Sequence, residues 1–312
     1  GTPLPSIFLK SGGTLMSGSM FLQHLFNAIT LGSLYGLIAI GYTMVYGILR
    51  LINFAHGEVF MLGAYFIFFA ITLLNLPWGL AAVLAVAASS FCGILVDKIA
   101  YKPLRNAPRI SALISAIGVS FFIQNLSIVI FTGLPRPVSR PDWLVKVMKF
   151  GEIRILPLAI VVPAVTLFLV LGLLWIVYKT KPGLAMRAIS KDIETTRLMG
   201  VSVNKIIAFT FGIGSALAAA SGIMWALRYP QIHPFMGLFP GLKAFIAAVF
   251  GGIGSIQGAV IGGMFLGIIE IMAVAFFPTL SGYRDAFAFV LLIIILLMKP
   301  TGLMGEKLED KI

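Results

Sequence analysis

From Leu31 to Glu58 the chain reads LGSLYGLIAIGYTMVYGILRLINFAHGE. No charge appears before Arg50. Two apolar residues later, Asn53-Phe54-Ala55-His56-Gly57-Glu58 interrupts the run with polar and titratable groups, and a second apolar stretch follows at once. Working outward, residues 20–96 carry only Arg50 and Glu58 as full charges, with the titratable His56 between them. A helix that crosses a bilayer needs about 20 mostly apolar residues, and this region supplies such stretches back to back.

The whole chain repeats the pattern. Of its 312 residues 59% are hydrophobic and 11% charged, and the mean hydropathy is +1.03. Soluble domains carry about 25% charge, so this composition leaves no polar coat and excludes a soluble enzyme, a nucleic-acid-binding domain and a disordered chain. Nine apolar segments are legible, at about 21–49, 58–76, 78–97, 110–132, 155–178, 205–227, 242–255, 256–277 and 286–298. The first is long for one perpendicular span; the seventh and the last are short. The expected fold is an all-α polytopic bundle, one membrane domain over 21–305, between an unstructured tail at 1–20 and a cytoplasmic tail at 306–312. No cleavable signal peptide is legible.

The net charge of +12 reads as topology and lipid head groups, with no nucleic acid as a partner. Fourteen of the 23 basic residues fall at Arg50, in 98–109, in 179–205 and in the C-terminal tail. That bias makes these parts cytoplasmic, and nine crossings then put the N-terminus outside. The loop 133–154 goes against the trend, with five basic residues on the outer side. The one cysteine, Cys92, lies in an apolar run and forms no internal disulfide.

Small residues recur every four positions at Gly214, Ala218, Gly222 and Ala226, and at Ala259, Gly263 and Gly267, with Gly32 and Gly36 in the first segment. Such ridges let helix backbones approach closely in lipid. Gly251, Gly252, Gly254 and Ser255 lie in a glycine-rich stretch that lacks the Lys-Ser/Thr ending of a phosphate loop and reads as a break or a re-entrant turn.

Four places could carry function. Asn53, His56 and Glu58 fit either a turn between two segments or a broken helix whose exposed backbone lines a pathway, which the break at Gly251, Gly252, Gly254 and Ser255 would line or gate as well. Glu270 sits three residues after Gly267, on the protein-facing side of its segment, and either pairs with a buried donor or lies beside a pathway. Gln124 and Asn125 admit the same two readings. Lys243 reads as a residue snorkelling to the outer interface. The three histidines are far apart, so no metal site is expected.

Between Lys179 and Lys205 lies the fourth place. Lys181-Pro182-Gly183 reads as a helix stop. A helix of about nine residues is then expected, capped by Ser190, with Asp192 and Glu194 in its first turn and Gly200 just past its end.

Arg187-Ala188-Ile189-Ser190-Lys191-Asp192, followed by Arg197-Leu198-Met199-Gly200-Val201, resembles the coupling helix of the branched-chain amino acid ABC permeases of the LivH type. Gly41-Tyr42-Thr43-Met44-Val45-Tyr46-Gly47, Asn53 to Glu58, Gly241-Leu242-Lys243-Ala244-Phe245 and Pro300-Thr301-Gly302-Leu303 resemble the same family. The resemblance spans about residues 21–305. It implies a non-enzymatic permease of a bacterial inner membrane, in two related halves around 133–154. The implied partners are a second, LivM-like permease, two cytoplasmic ATPases that carry ATP and Mg, an extracytoplasmic substrate-binding protein and membrane lipid. No cofactor is implied for this chain itself. It further implies a coupling segment at 184–200, with Arg187, Ala188, Ile189, Ser190, Asp192, Glu194, Arg197, Leu198 and Gly200 at the ATPase interface. A related branch of the family carries urea, which leaves urea or another small amide as an alternative solute. A membrane-embedded enzyme would show clustered ionisable groups within its helices. A secondary transporter would need broken helices but no such coupling segment.

Overall fold

A computed structural model describes residues 9–11, 14–105, 107–150, 153–299 and 301–305. The expected tail 306–312, with Lys307 and Lys311, and Pro300 lie outside the described residues. The N-terminal tail is not featureless: β1 (Leu9–Ser11) and β2 (Thr14–Met16) pair as an antiparallel hairpin. Ser17 then caps α1, which spans Gly18–Leu49, three residues earlier than the apolar pattern alone suggests.

The remaining helices are α2 (His56–Thr72), α3 (Trp78–Val96), α4 (Arg109–Phe131), the single turn α5 (Asp142–Val145), α6 (Leu158–Lys179), α7 (Lys181–Lys191), α8 (Ile193–Leu198), α9 (Val203–Arg228), α10 (Leu238–Gly251), α11 (Ile256–Phe276) and α12 (Arg284–Met298). Four short strands join them: β3 (Arg136–Pro137), β4 (Met148–Phe150), β5 (Ile153–Ile155) and β6 (Gln231–Ile232). Among the described residues, seven helical stretches are long and apolar enough to cross a membrane. The segments expected at 58–76 and 242–255 are the exceptions, because α2 and α10 have only 17 and 14 residues. At 1.5 Å per residue, α10 extends about 21 Å, short of a hydrocarbon core of about 30 Å. Both belong to broken crossings, completed by extended chain.

With the Gly18 end of α1 taken as the upper end, α1 descends to Arg50, whose left-handed backbone (φ 55°) turns the chain. Residues 51–55 climb back into the bundle without helix, and α2 starts there, its His56 ring against Gly41. Gly41 lies eight residues before Leu49, about 12 Å from the lower end of α1. The second broken crossing comes from above. After α9, residues 229–237 descend as non-helical chain, and α10 begins where Gly237 meets Gly57. The two half-helices are therefore reached from opposite faces of the bundle and meet N-terminus to N-terminus.

This arrangement makes two inverted halves, α1–α4 and α9–α12, joined through α6. Packing follows the inversion: α1 lies along α11 as α9 lies along α3, and α1 crosses α9 at Gly41 and Gly214. The small-residue ridges are these contacts. Gly32 and Gly36 face Gly267 and Gly263, and Gly222 faces the Phe60 carbonyl. Without a strong hydrophobic drive between helices in lipid, dispersion across such close backbones holds the bundle.

The 133–154 loop also has a job at the upper end. β3 pairs with β6, and Val138 N–H donates to the Pro230 carbonyl at 3.2 Å, clamping the start of the descending chain. Arg136 donates to the Phe131 carbonyl and stacks near Phe68 and Phe69; Arg140 donates to the Leu227 carbonyl. These basic residues satisfy helix ends, so their presence on one face says little about charge-driven orientation.

Candidate functional site

Tyr101 braces the first broken crossing from below. Tyr101 donates to Asn53 Oδ1 at 3.0 Å and lies 3.4 Å from the Ile52 carbonyl, satisfying backbone that no helix covers. A π-helical turn, Asp97–Tyr101, presents it below α3, and Arg105 pins that turn by donating to Asp97 and Asn204 at 2.5 Å each. The first turn of α2 then forms on Asn53 and Ala55: His56 N–H donates to the Asn53 carbonyl and Glu58 N–H to the Ala55 carbonyl. Glu58 thus occupies the first turn, where the positive end of a helix favours a carboxylate. The His56 ring is buried, edge-on to Tyr42 with centroids 4.8 Å apart.

A cavity of about 140 Å³ lies where the two half-helices meet, walled by Tyr42, Phe54, Glu58, Ser120, Gln124 and Leu238 among others. Glu58 is 1% exposed. Ser120 donates to its Oε1 at 3.2 Å, while its Oε2 has no protein partner. Gln124 is buried on the same wall. Asn125 is turned away: it is exposed and donates back to the Phe121 carbonyl. Of the polar residues singled out from sequence, the structure brings Glu58 and Gln124 together and places Asn53 and His56 directly beneath or beside them in the chain.

Lys243 does not snorkel. It is 5% exposed and donates to Glu270 Oε1 at 2.8 Å and to Asp285 Oδ1 at 2.5 Å. Arg284 also pairs with Glu270, and Tyr35 donates to Glu270 Oε2 at 2.9 Å. Its segment begins at Leu238, not at 242, so Lys243 sits well inside α10 and faces α11. Glu270 accordingly has its buried donors. The cluster of two cations and two carboxylates ties α10, α11 and α12 together, and borders a second cavity of about 250 Å³. Tyr35, Arg284 and Asp285 were not legible as its members, since nothing in the local sequence of any of them indicates the others.

Gly251, Gly252, Gly254 and Ser255 form a true break, with φ of 105° at Gly252 and 102° at Gly254, values that only glycine adopts readily. Ser255 caps α11 by accepting from Gly258 N–H. This turn is remote from the cavity. It sits by Gly47 near the lower end of α1, and the C-terminal segment closes it: Leu303 and Met304 N–H donate to the Phe250 and Gly251 carbonyls, the last open acceptors of α10.

The 184–200 segment forms two helices, not one. Lys181-Pro182-Gly183 opens α7, because Thr180 caps it and proline is tolerated in a first turn. Ser190 is not a cap; its hydroxyl donates to the Arg187 carbonyl inside α7. Asp192 caps α8 instead, accepting from Glu194 and Thr195 N–H at 2.9 and 3.1 Å. Gly200 (φ 80°) ends α8 as expected. Ile189 is buried against the bundle, while Leu198 and Met199 are 87% and 78% exposed at the tip. Arg187 stacks over Tyr178 at 5.3 Å.

Comparison with known proteins agrees with this architecture. The family described as "Branched-chain amino acid transport system / permease component" matches residues 24–296. The high-affinity branched-chain amino acid transport system permease protein LivH of Escherichia coli (strain K12) is 43% identical over 305 residues, 94% of this chain and 98% of its own. The corresponding BraD protein of Pseudomonas aeruginosa is 42% identical over the same shares. A probable LivH from Methanocaldococcus jannaschii is 28% identical over 290 residues, 89% of this chain and 90% of its own.

Proposed function

The chain belongs to the family of branched-chain amino acid transport permease components, and on that footing we propose that it is the membrane-spanning subunit of an ATP-driven importer of leucine, isoleucine and valine. The observation that carries the reading is near-complete coverage: 42–43% identity runs through 98% of the length of relatives named for that transport. The chain conducts the solute and hydrolyses no ATP itself. ATP and Mg belong to two cytoplasmic ATPase subunits, and an extracytoplasmic binding protein and a second permease complete the machine.

The lower end of the bundle faces the cytoplasm in this reading, with the C-terminus there and the N-terminus outside. α7 and α8 form the handle for an ATPase. Their inner face is anchored by Ile189 and Met186, and the tip offers Leu198 and Met199 with Arg197 and Glu194 beside them. An exposed apolar pair rimmed by charges is a docking surface by chemistry. The solute route runs past the meeting point of the half-helices, where polar groups and non-helical backbone sit at depth.

Proteoliposomes holding the complete transporter test this. ATP-dependent leucine uptake is expected from the wild type. Reversing both charges, Glu194→Lys with Arg197→Glu, is expected to cut stimulated ATPase activity and uptake at least tenfold while the permease stays folded. Undiminished uptake in that variant would overturn the docking assignment. Uptake of urea in place of leucine would overturn the solute.

A further inference from the structure

A carboxylate at depth in a membrane protein is costly, and it persists where it has a partner or a task. Glu270 has partners for both oxygens. Asp97 has Arg105. Glu58 differs. It is 1% exposed, its single protein donor is the neutral hydroxyl of Ser120, and its second oxygen has no protein donor while the residue lines the cavity. Among the described residues it makes no ion pair.

The surroundings say what would satisfy that oxygen. Two helices, of 17 and 14 residues, direct their N-terminal ends at this point, and Gly57 and Gly237 bring them into backbone contact. Helix N-termini favour negative charge, so with an ammonium between them a second carboxylate can be held beside Glu58 despite their mutual repulsion. Much of the remaining wall is apolar: Ile117, Phe121, Leu238 and Leu242. A carboxylate, two helix ends and an aliphatic wall are complementary to the ammonium, carboxylate and side chain of a zwitterionic aliphatic amino acid. At about 140 Å³ the space is below the ~300 Å³ typical of sites enclosing larger ligands, which suits a single small residue and not a sugar or a peptide.

We propose that Glu58 is the transit station for the solute's α-ammonium group, accepting its hydrogen bonds on Oε2 while the cavity wall at Ile117, Phe121 and Leu242 takes the aliphatic side chain. This rests on the reading of the chain as an amino acid permease, and it adds the group by which the permease itself recognises its solute after the binding protein has released it. Ser120 orients the carboxylate through Oε1, leaving Oε2 for the solute.

The test uses the complete transporter in proteoliposomes with saturating, leucine-loaded binding protein. Glu58→Gln keeps shape and the acceptor for Ser120 but removes the charge. Leucine uptake is expected to fall at least tenfold, with ATPase stimulation by the loaded binding protein retained within about twofold. Glu58→Asp is expected to retain a substantial part of the uptake. Should Glu58→Gln fail to assemble, Ile117→Trp fills the cavity from a different helix, and it is expected to reduce leucine uptake severalfold more than alanine uptake. Wild-type leucine uptake by Glu58→Gln would overturn the proposal, as would equal loss for both solutes in Ile117→Trp. No uptake of leucine by the unmodified transporter would instead overturn the functional reading on which it rests, so the two failures are distinguishable.

Discussion

The two broken crossings share a plan and differ in chemistry. Each joins a few residues of extended chain to a short helix, and each helix starts beside the other at Gly57 and Gly237. In the first, the buried charge is Glu58, with a neutral donor on one oxygen and none on the other. In the second it is Lys243, paired with Glu270 and Asp285. Burial alone therefore does not separate a structural charge from a functional one, since both residues are at most 5% exposed. Partner count does. A charge whose hydrogen-bonding capacity is met by the fold holds the fold; a charge left with capacity facing a cavity is available to something that passes.

The largest expected effect breaks the structural side of this comparison. Lys243→Met leaves Glu270 with Arg284 and Tyr35, and leaves the half-exposed Asp285 to water. Removing one partner of a buried pair costs about 3–5 kcal/mol, and the remaining partners place this case at about 3 kcal/mol. Thermal unfolding in detergent should show a lower midpoint, and adding Glu270→Met should recover part of it, because the two sites are coupled. Uptake per folded transporter should change far less than in Glu58→Gln. Stability untouched by Lys243→Met would remove the distinction between the two charges.

The next prediction breaks the shared plan. A Cβ at Gly57 would lie 2.7 Å from the Gly237 carbonyl oxygen, with backbone as the obstacle. Gly57→Val should therefore push the half-helices apart, at a cost of about 1–3 kcal/mol for overpacking, and abolish leucine uptake. Gly118 in α4 is the control: nothing lies within 4 Å of an added Cβ there, so Gly118→Ala should leave both readouts near wild type. A functional Gly57→Val transporter would mean that the close contact is incidental to transport.

How far the sequence led follows the range of the forces involved. The all-α membrane bundle was legible because every span must satisfy its own backbone, which writes long apolar runs into the chain. The glycine ridges at Gly32, Gly36, Gly263 and Gly267 were legible for the same local reason, though not that they would meet each other. Lys243 was misread because snorkelling is the default for a lone lysine in an apolar helix, and its partners are 27 and 42 residues away. Ser190 was misread as a cap because Lys181-Pro182-Gly183 looks like an ending; with Thr180 capping, the same tripeptide starts α7, and the role of cap passes to Asp192. At the cavity, Glu58 and Gln124 were legible as polar residues in apolar runs, but Ser120 and Tyr42 were not, since serine and tyrosine are common in membrane helices without any task.

The smallest effect sharpens the comparison of the two lead-in segments. In the second half, residues 229–237 are held by backbone pairing between β3 and β6 and by Val138. In the first half, 51–55 has no strand partner and depends on the Tyr101 hydroxyl at Asn53 and Ile52. Backbone pairing resists point mutation; a single hydroxyl does not. Tyr101→Phe keeps the ring, which packs on Phe211 with centroids 5.1 Å apart, and removes only the donor. The buried Asn53 oxygen then loses its partner, at about 1–2 kcal/mol. A loss of that size is too small to unfold a bundle of this kind but large enough to populate a state in which 51–55 is loose. Hydrogen exchange should rise across 51–58 in Tyr101→Phe and stay unchanged across 229–241. Exchange rising equally in both segments would mean that the two broken crossings open together, and that the hydroxyl serves the junction at Gly57 and Gly237 as a whole and not the first half alone.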